Sequence, residues 1–182
     1  MVNNLKNKNI ILAVCGGIAV YKVCDLIRKL ISLEANVTCI MTESAKQFVT
    51  PLTFQTLSNN KVYSDMFDPS SWEIGHISLA QKADIIVVIP ATANTMAKLA
   101  GGMADNLVCS TVLATKGKVL ICPAMNHNMY HHIATEKNIK ILQEYKYKFV
   151  MPHNGKLACG IMGDGCLAPI EVIIEKIITE LE

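Results

Sequence analysis

Short, almost wholly apolar runs alternate along this chain with segments in which apolar residues return every three or four positions. Asn9–Val14 is such a run, and after Gly16-Gly17 the residues Ile18, Val23, Leu26, Ile27 and Leu30 fall at helical spacing. Val37–Met41, Ala83–Ile89, Lys118–Cys122 and Lys148–Met151 supply four further apolar runs. Between them, helical patterns are expected over His76–Lys82 and over Thr95–Ala114, the second broken at Gly101-Gly102, and Ile170–Leu181 closes the chain as an amphipathic helix. Strands that are Ile/Val-rich throughout are buried on both faces, as a parallel sheet covered by helices requires. The connections should be right-handed crossovers. The expected fold is therefore α/β, a doubly wound parallel sheet of flavodoxin-like or Rossmann-like type, in a single domain over residues 1–182.

Composition narrows the picture. With 51% hydrophobic and 18% charged residues in 182, the chain can bury one sizeable core. Its formal charge of +2 is spread out, with lysine-rich pieces only at Leu5–Lys8 and Tyr145–Lys148, which argues against nucleic acid as partner. No apolar run approaches the roughly 20 residues of a membrane span, and no signal-peptide core opens the chain, so a cytoplasmic protein is expected. Seven cysteines without a Cys-x-x-Cys pair point to reduced thiols. Cys15, Cys24, Cys39, Cys109 and Cys122 lie in apolar patterns and read as small buried hydrophobes. Only Cys159 and Cys166 fall in loop-like sequence.

Ligands of open α/β sheets sit outside the carboxyl ends of the strands, so the residues following each strand matter most. Gly16-Gly17-Ile18 after the first strand lets backbone N–H groups approach an anion at a helix N-terminus. It matches neither Gly-x-Gly-x-x-Gly nor the Walker spacing, and two glycines alone make an ordinary tight turn. Thr42-Glu43-Ser44 and Thr92-Ala93-Asn94-Thr95 end the second and third strands, where hydroxyl and amide groups serve equally as helix caps. Pro123-Ala124-Met125-Asn126 ends the fourth, and its amide both donates and accepts. No lysine or arginine stands among these residues, a set suited to a phosphate and ring held by neutral donors. Two more groups lie at segment ends: His76 in Gly75-His76-Ile77, and Cys159 in Leu157-Ala158-Cys159-Gly160, followed by Gly163 and Gly165. Taken singly, His76 reads as a cap or solvated residue, Asn126 as a turn residue and Cys159 as an exposed thiol. His127, His131 and His132 have no carboxylate or cysteine at a known ligand spacing, so no metal site is expected and they read as exposed or interface residues. Met96, Met103, Met125 and Met129 read as core or subunit contacts.

Together these motifs resemble the flavin-dependent cysteine decarboxylases, and within them the phosphopantothenoylcysteine decarboxylase group, from Ile10 through Leu167. The resemblance implies an FMN site from Gly16, Gly17 and Ile18, then Thr42 and Ser44, then Thr92, Ala93, Asn94 and Thr95, with Ala124 against the flavin. It implies His76 as the active-site histidine, Asn126 as the holder of the substrate carboxylate, with Met125, Leu157 and Ala158 beside it. Cys159 becomes the proton-donating cysteine of a flexible clamp spanning about residues 154–168. The implied reaction is oxidation of a cysteinyl CH2–SH to a thioaldehyde, loss of carbon dioxide, and re-reduction of the enethiolate, converting 4'-phosphopantothenoylcysteine to 4'-phosphopantetheine in coenzyme A biosynthesis. A simple amino carboxylate has no electron sink of its own, which is why a cofactor is needed. The resemblance also implies a homotrimer or higher homo-oligomer that closes its sites between subunits.

Other readings remain open at this stage. Peptidyl-cysteine decarboxylases of the same family share the histidine and asparagine but lack the clamp cysteine. A flavodoxin-like electron carrier shares fold and cofactor without needing His76, Asn126 and Cys159 together, and a regulatory subunit would use tails or surface patches. Two positions depart from the family pattern. Cys166 follows Gly165 where fused members commonly carry an arginine, and Tyr130 stands where tryptophan is frequent. The resemblance also covers no synthetase domain of the kind found in the fused bacterial form.

Overall fold

β1 (Asn9–Val14) lies between β2 (Asn36–Met41) and β3 (Ile85–Ala91), and β4 (Lys118–Pro123) and the two-residue β5 (Lys148–Phe149) extend the sheet on the far side of β3. All four pairings are parallel, giving the order β2-β1-β3-β4-β5. This is the flavodoxin-like order, in which the chain reverses direction across the sheet between β1 and β3 and leaves a crevice at their carboxyl ends. The structure is a computed structural model and describes residues 5–67 and 75–182.

Successive strand residues point to opposite faces, and each face has its own core. Ile10, Leu12 and Val14 pack with α1 (Val23–Ser32) through Val23, Leu26, Ile27 and Leu30, and with α8 (Ile170–Leu181) through Ile173, Ile174 and Ile177. α2 (Pro51–Ser58) joins that face through Phe54, with proline at its start and Asn59 in the left-handed conformation at its end. Ile11, Ala13 and Cys15 face the other way, toward helices that follow β2 and flank β3 and β4. These are α3 (Gly75–Lys82), α4 (Ala93–Ala100), α5 (Leu107–Ala114) and α7 (Ile133–Glu144). The one-turn α6 (His127–Tyr130) follows β4, and an antiparallel hairpin of β6 (His153–Lys156) and β7 (Met162–Cys166) precedes α8.

Several sequence-based boundaries move. The helical pattern over Thr95–Ala114 breaks at Gly101-Gly102 as expected, but the gap extends to Asn106, which caps the second helix by accepting the N–H of Cys109 at 3.0 Å. The fifth strand is cut to two residues at the sheet edge. Ile18, counted on the buried face of the first helix, is 57% exposed, since Ile18–Lys22 forms a 3-10 turn that swings it away from the sheet. Cys24 is half-buried, whereas Cys15, Cys39, Cys109 and Cys122 are fully enclosed as expected. Met96 is core, but Met103 and Met129 are exposed. The clamp is a paired hairpin with a turn at 157–161. Among the described residues no helix is long and apolar enough to cross a membrane.

Candidate active site

A cavity of about 830 Å³ opens over the carboxyl ends of β1, β3 and β4. Its floor begins at the β1 turn. Gly17 is extended, and the chain then enters the 3-10 turn that runs into α1; Ile18 and Ala19, whose N–H groups at the start of that turn have no acceptor within it, line the cavity. Gly16 is wedged against the loop after β2: a Cβ placed there would stand 2.5 Å from Ser44 Oγ. That loop is braced from behind by Thr42, whose hydroxyl lies 3.2 Å from Ser44 Oγ and accepts the N–H of Ala45 at 3.3 Å. Thr42 is thus a support for Ser44, and only Ser44 reaches the cavity wall.

The second wall is the start of α4. Thr92 Oγ1 accepts the N–H of Thr95 at 3.2 Å and donates to Thr95 Oγ1 at 3.1 Å. Thr95 is buried behind this cap, while Thr92, Ala93 and Asn94 line the cavity. The same cap shelters Cys15, whose thiol burial pushes up to about 12, a neutral group at working pH. The start of the 3-10 turn, the N-terminus of α4 and one serine hydroxyl therefore converge on one space, with no carboxylate among the described residues of its walls, an arrangement that favours an anion.

The third wall carries the reactive groups. Ala124, Met125 and Asn126 line the cavity where β4 ends. Asn126 Oδ1 accepts the N–H of Asn128 at 2.9 Å, which fixes the amide plane and leaves Nδ2 directed at Cys159 Sγ, 3.8 Å away. Cys159 is exposed at the tip of the hairpin turn, which is closed by Leu157 N–H to Ile161 O at 2.9 Å and anchored by the buried Leu157. At its base the hairpin is stitched to the loop after β4 by Met125 N–H donating to Gly165 O at 3.0 Å. Gly165 has φ +127°, and a Cβ there would stand 2.2 Å from Met125 O, so only glycine permits this approach. Leu157, Ala158 and Cys159 thereby line the same cavity as Gly16.

Two cations join the neutral donors that the strand ends supply. Lys22 and Lys156 both line the cavity, the first one helical turn beyond Ile18 and the second at the end of β6. Nothing local in the sequence marks them, because their nearness to the strand ends arises from the turn and the hairpin. His76 is not brought to the cavity walls of this chain. It lies at the start of α3, which packs on the same sheet face as α4, and its Nδ1 is buried with no hydrogen-bond partner among the described residues. A second, shallower cavity of about 510 Å³ between Lys146, Lys148, Phe149 and Lys176 lies at the amino edge of the sheet, away from all of these groups.

A doubly wound sheet with an anion cradle at its switch point, roofed by a thiol-bearing hairpin, defines a nucleotide-type cofactor protein with reactive side chains of its own. The chain belongs to the Flavoprotein family, whose model matches residues 2–182. It is 50% identical over 172 residues to the coenzyme A biosynthesis bifunctional protein CoaBC of Bacillus subtilis, a match covering 94% of this chain and 42% of that protein. It is 46% identical over 177 residues to a probable phosphopantothenoylcysteine decarboxylase of Streptococcus mutans, covering 96% of this chain and 99% of that one. The chain thus spans less than half the length of the bifunctional relative and nearly all of the shorter one. Among solved structures, it resembles a cysteine-to-serine mutant of PPC decarboxylase complexed with pantothenoylaminoethenethiol, with a TM-score of 0.84 and 30% identity over 93% of this chain and 96% of that one. The FMN binding protein AtHal3 matches with a TM-score of 0.83 and 31% identity, over 94% and 95% of the two chains.

Proposed function

We propose that the chain is an FMN-dependent carboxy-lyase that converts 4'-phosphopantothenoylcysteine to 4'-phosphopantetheine, a step of coenzyme A biosynthesis. The observation that carries this reading is the single cavity walled on one side by the Gly16, Ser44 and Thr92 cradle and on the other by Asn126 and Cys159. A carrier that only shuttles electrons has no use for an amide and a thiol 3.8 Å apart beside its cofactor. The cradle fits FMN: its phosphate finds helix N-termini and Ser44, and the close Gly16–Ser44 approach leaves the floor free of side chain. When bound, FMN supplies the two-electron acceptor and donor that a cysteinyl carboxylate lacks.

The chain's own residues do the rest. Asn126, with its carbonyl oxygen committed to Asn128, offers its N–H to the substrate carboxylate and fixes it across from the cradle. Cys159, exposed on the hairpin turn, delivers a proton to the carbon from which carbon dioxide has left. Lys156, three residues before it, meets the substrate phosphate in place of the arginine that fused members carry after the clamp glycine. His76 is the base for the substrate thiol, and it comes from a neighbouring copy. Its orphaned Nδ1 and the exposed apolar residues Ile77 on α3 and Leu113 on α5, two helices that pack together, support a face that another subunit covers. Because the cavity and that face are different surfaces, the contact is head-to-tail and closes into a ring, a homotrimer or a larger assembly of trimers. The seven free thiols suit the reducing cytoplasm.

The test is carbon dioxide release and product mass with 4'-phosphopantothenoylcysteine, on protein whose flavin absorbance is recorded, beside Cys159→Ser. The expected result is the saturated aminoethanethiol product from the native enzyme and an enethiol two hydrogens lighter from Cys159→Ser. Yellow protein with no carbon dioxide release would overturn the assignment in favour of a carrier.

A further inference from the structure

The fold gathers a group of ligand-type side chains with no ligand spacing in the sequence. His127 and His131 stand one helical turn apart on α6 and its end, and the expected lack of a carboxylate partner is corrected by β7, which brings Asp164 to them from 37 and 33 residues away. One ring nitrogen of each histidine and a carboxylate oxygen of Asp164 all lie within 4.8 Å of one another. His132 takes no part, because its Nδ1 accepts the N–H of Ala134 and caps α7.

We propose that His127, His131 and Asp164 bind a divalent transition-metal ion of the zinc class, and that its occupancy pins the β6–β7 hairpin to α6 and holds the clamp over the cavity. Two imidazoles and one carboxylate are a borderline-soft N/O set that suits zinc-type ions and leaves a fourth position for water. Tetrahedral zinc–nitrogen bonds of 2.0–2.1 Å separate donors by about 3.3 Å, so a modest rotation of the exposed His131 ring closes the set. The outer partners that orient metal ligands are also in place. Asn154 Nδ2 donates to Asp164 Oδ1 at 3.0 Å, and Glu136 Oε1 lies 3.9 Å from His131 Nδ1. Gly163 presses on the His127 ring, a Cβ there standing 3.1 Å from it, which fixes one ligand against the hairpin.

The contacts a cation displaces are visible. His131 Nε2 lies 2.9 Å from Asp164 Oδ2, and His127 Nδ1 accepts the Asp164 N–H at 3.1 Å. Without metal the hairpin is held by these weak polar contacts together with Met125 N–H to Gly165 O. With metal, α6 and β7 share coordinate bonds. Since α6 begins one residue after Asn126 and β7 follows the turn that carries Cys159, the ion sets how readily those two residues part. The binding site itself does not depend on the decarboxylase reading.

The experiment is calorimetric titration of the flavin-loaded, chelator-treated protein with Zn²⁺ alone, followed by tryptic cleavage after Lys156 with and without the ion. Saturable binding of one equivalent per chain is expected, weakened at least about ten-fold by His131→Ala and by Asp164→Asn and retained in Cys159→Ser and Cys166→Ser. Zn²⁺ should slow cleavage in the native protein and not in His131→Ala. The proposal is overturned if no saturable binding occurs, if His131→Ala binds as tightly as the native chain, or if binding is lost with either cysteine. Equal cleavage rates with and without the ion would sink the pinning.

Discussion

Gly16 and Ser44 stand so close that a methyl group on Gly16 would meet both Ser44 Cβ and Oγ at 2.5 Å and the Ser44 carbonyl carbon at 2.7 Å. The contact follows from register. β1 and β2 are aligned residue for residue up to Val14 and Met41, so the loops that leave them run side by side at the sheet edge. Since the 2.7 Å neighbour is backbone, it cannot be relieved by a rotamer change. Gly16→Ala must push the Ser44 loop outward and open the cradle. Flavin affinity, read by equilibrium dialysis against absorbance, should fall at least about ten-fold, while the two cores keep thermal stability within about 1–2 kcal/mol of the native chain. Undiminished flavin binding would mean that the Gly16–Ser44 junction is not the phosphate cradle.

Lys156 and Lys22 are the cations on the cavity wall, and Lys156 belongs to the hairpin. If Lys156 meets the substrate phosphate, Lys156→Ala should raise KM for the phosphorylated substrate about ten-fold or more, as expected for loss of a charge-assisted contact. Turnover of the dephosphorylated analogue should change little. A matched loss with both substrates would assign Lys156 to hairpin structure and not to phosphate recognition.

The strands and the cradle were the legible part of the sequence, and the reason is local. A strand buried on both faces has few polar positions, so β1 spans the expected Asn9–Val14 while β3 starts two residues later than its apolar run, and the glycine and hydroxyl groups after each strand need only the rule that strand ends face the ligand. The hairpin has the sequence of a loop because its strands, His-Asn-Gly-Lys and Met-Gly-Asp-Gly-Cys, are polar and glycine-rich, and a tertiary contact, Met125 N–H to Gly165 O in the segment after β4, holds it in place. α2 escaped because Phe54 is its one large buried side chain. Lys22, Lys156 and the Asp164 partner of His131 carry no local signal at all, since each reaches its place through a tertiary contact between distant segments.

Cys15 and Cys39 make the fold sensitive to alkali. Burial pushes both thiols up to about 12, from 9.0 in the exposed chain. Above pH 9 the unfolded chain releases these protons and the folded chain keeps them, so stability is fully present below pH 9 and declines as pH rises toward 12. Each thiol contributes up to about 1.4 kcal/mol per pH unit in that window. Urea unfolding at pH 8.5 and 10.5 should show a drop in midpoint that Cys39→Ala reduces. An identical drop in the variant would mean that other groups account for the alkaline loss.

His76 and Cys159 lie on different surfaces of one chain, the histidine at the start of α3 on one face of the sheet and the thiol on the hairpin over the cavity. If each catalytic centre takes its histidine from the next subunit, two inactive variants should repair each other. A chain carrying His76→Asn still offers Cys159, and one carrying Cys159→Ser still offers His76. In equal co-expression, about a quarter of the interfaces of a head-to-tail ring pair an intact thiol with an intact histidine. Formation of the saturated product should recover to about that fraction of the native rate, although neither variant alone makes it. The product mass keeps the readout clean, because the enethiol that Cys159→Ser releases differs by two hydrogens. No recovery in mixed assemblies shown to contain both chains would place His76 and Cys159 in the same subunit's site, and the hairpin would then have to move toward α3 during each turnover.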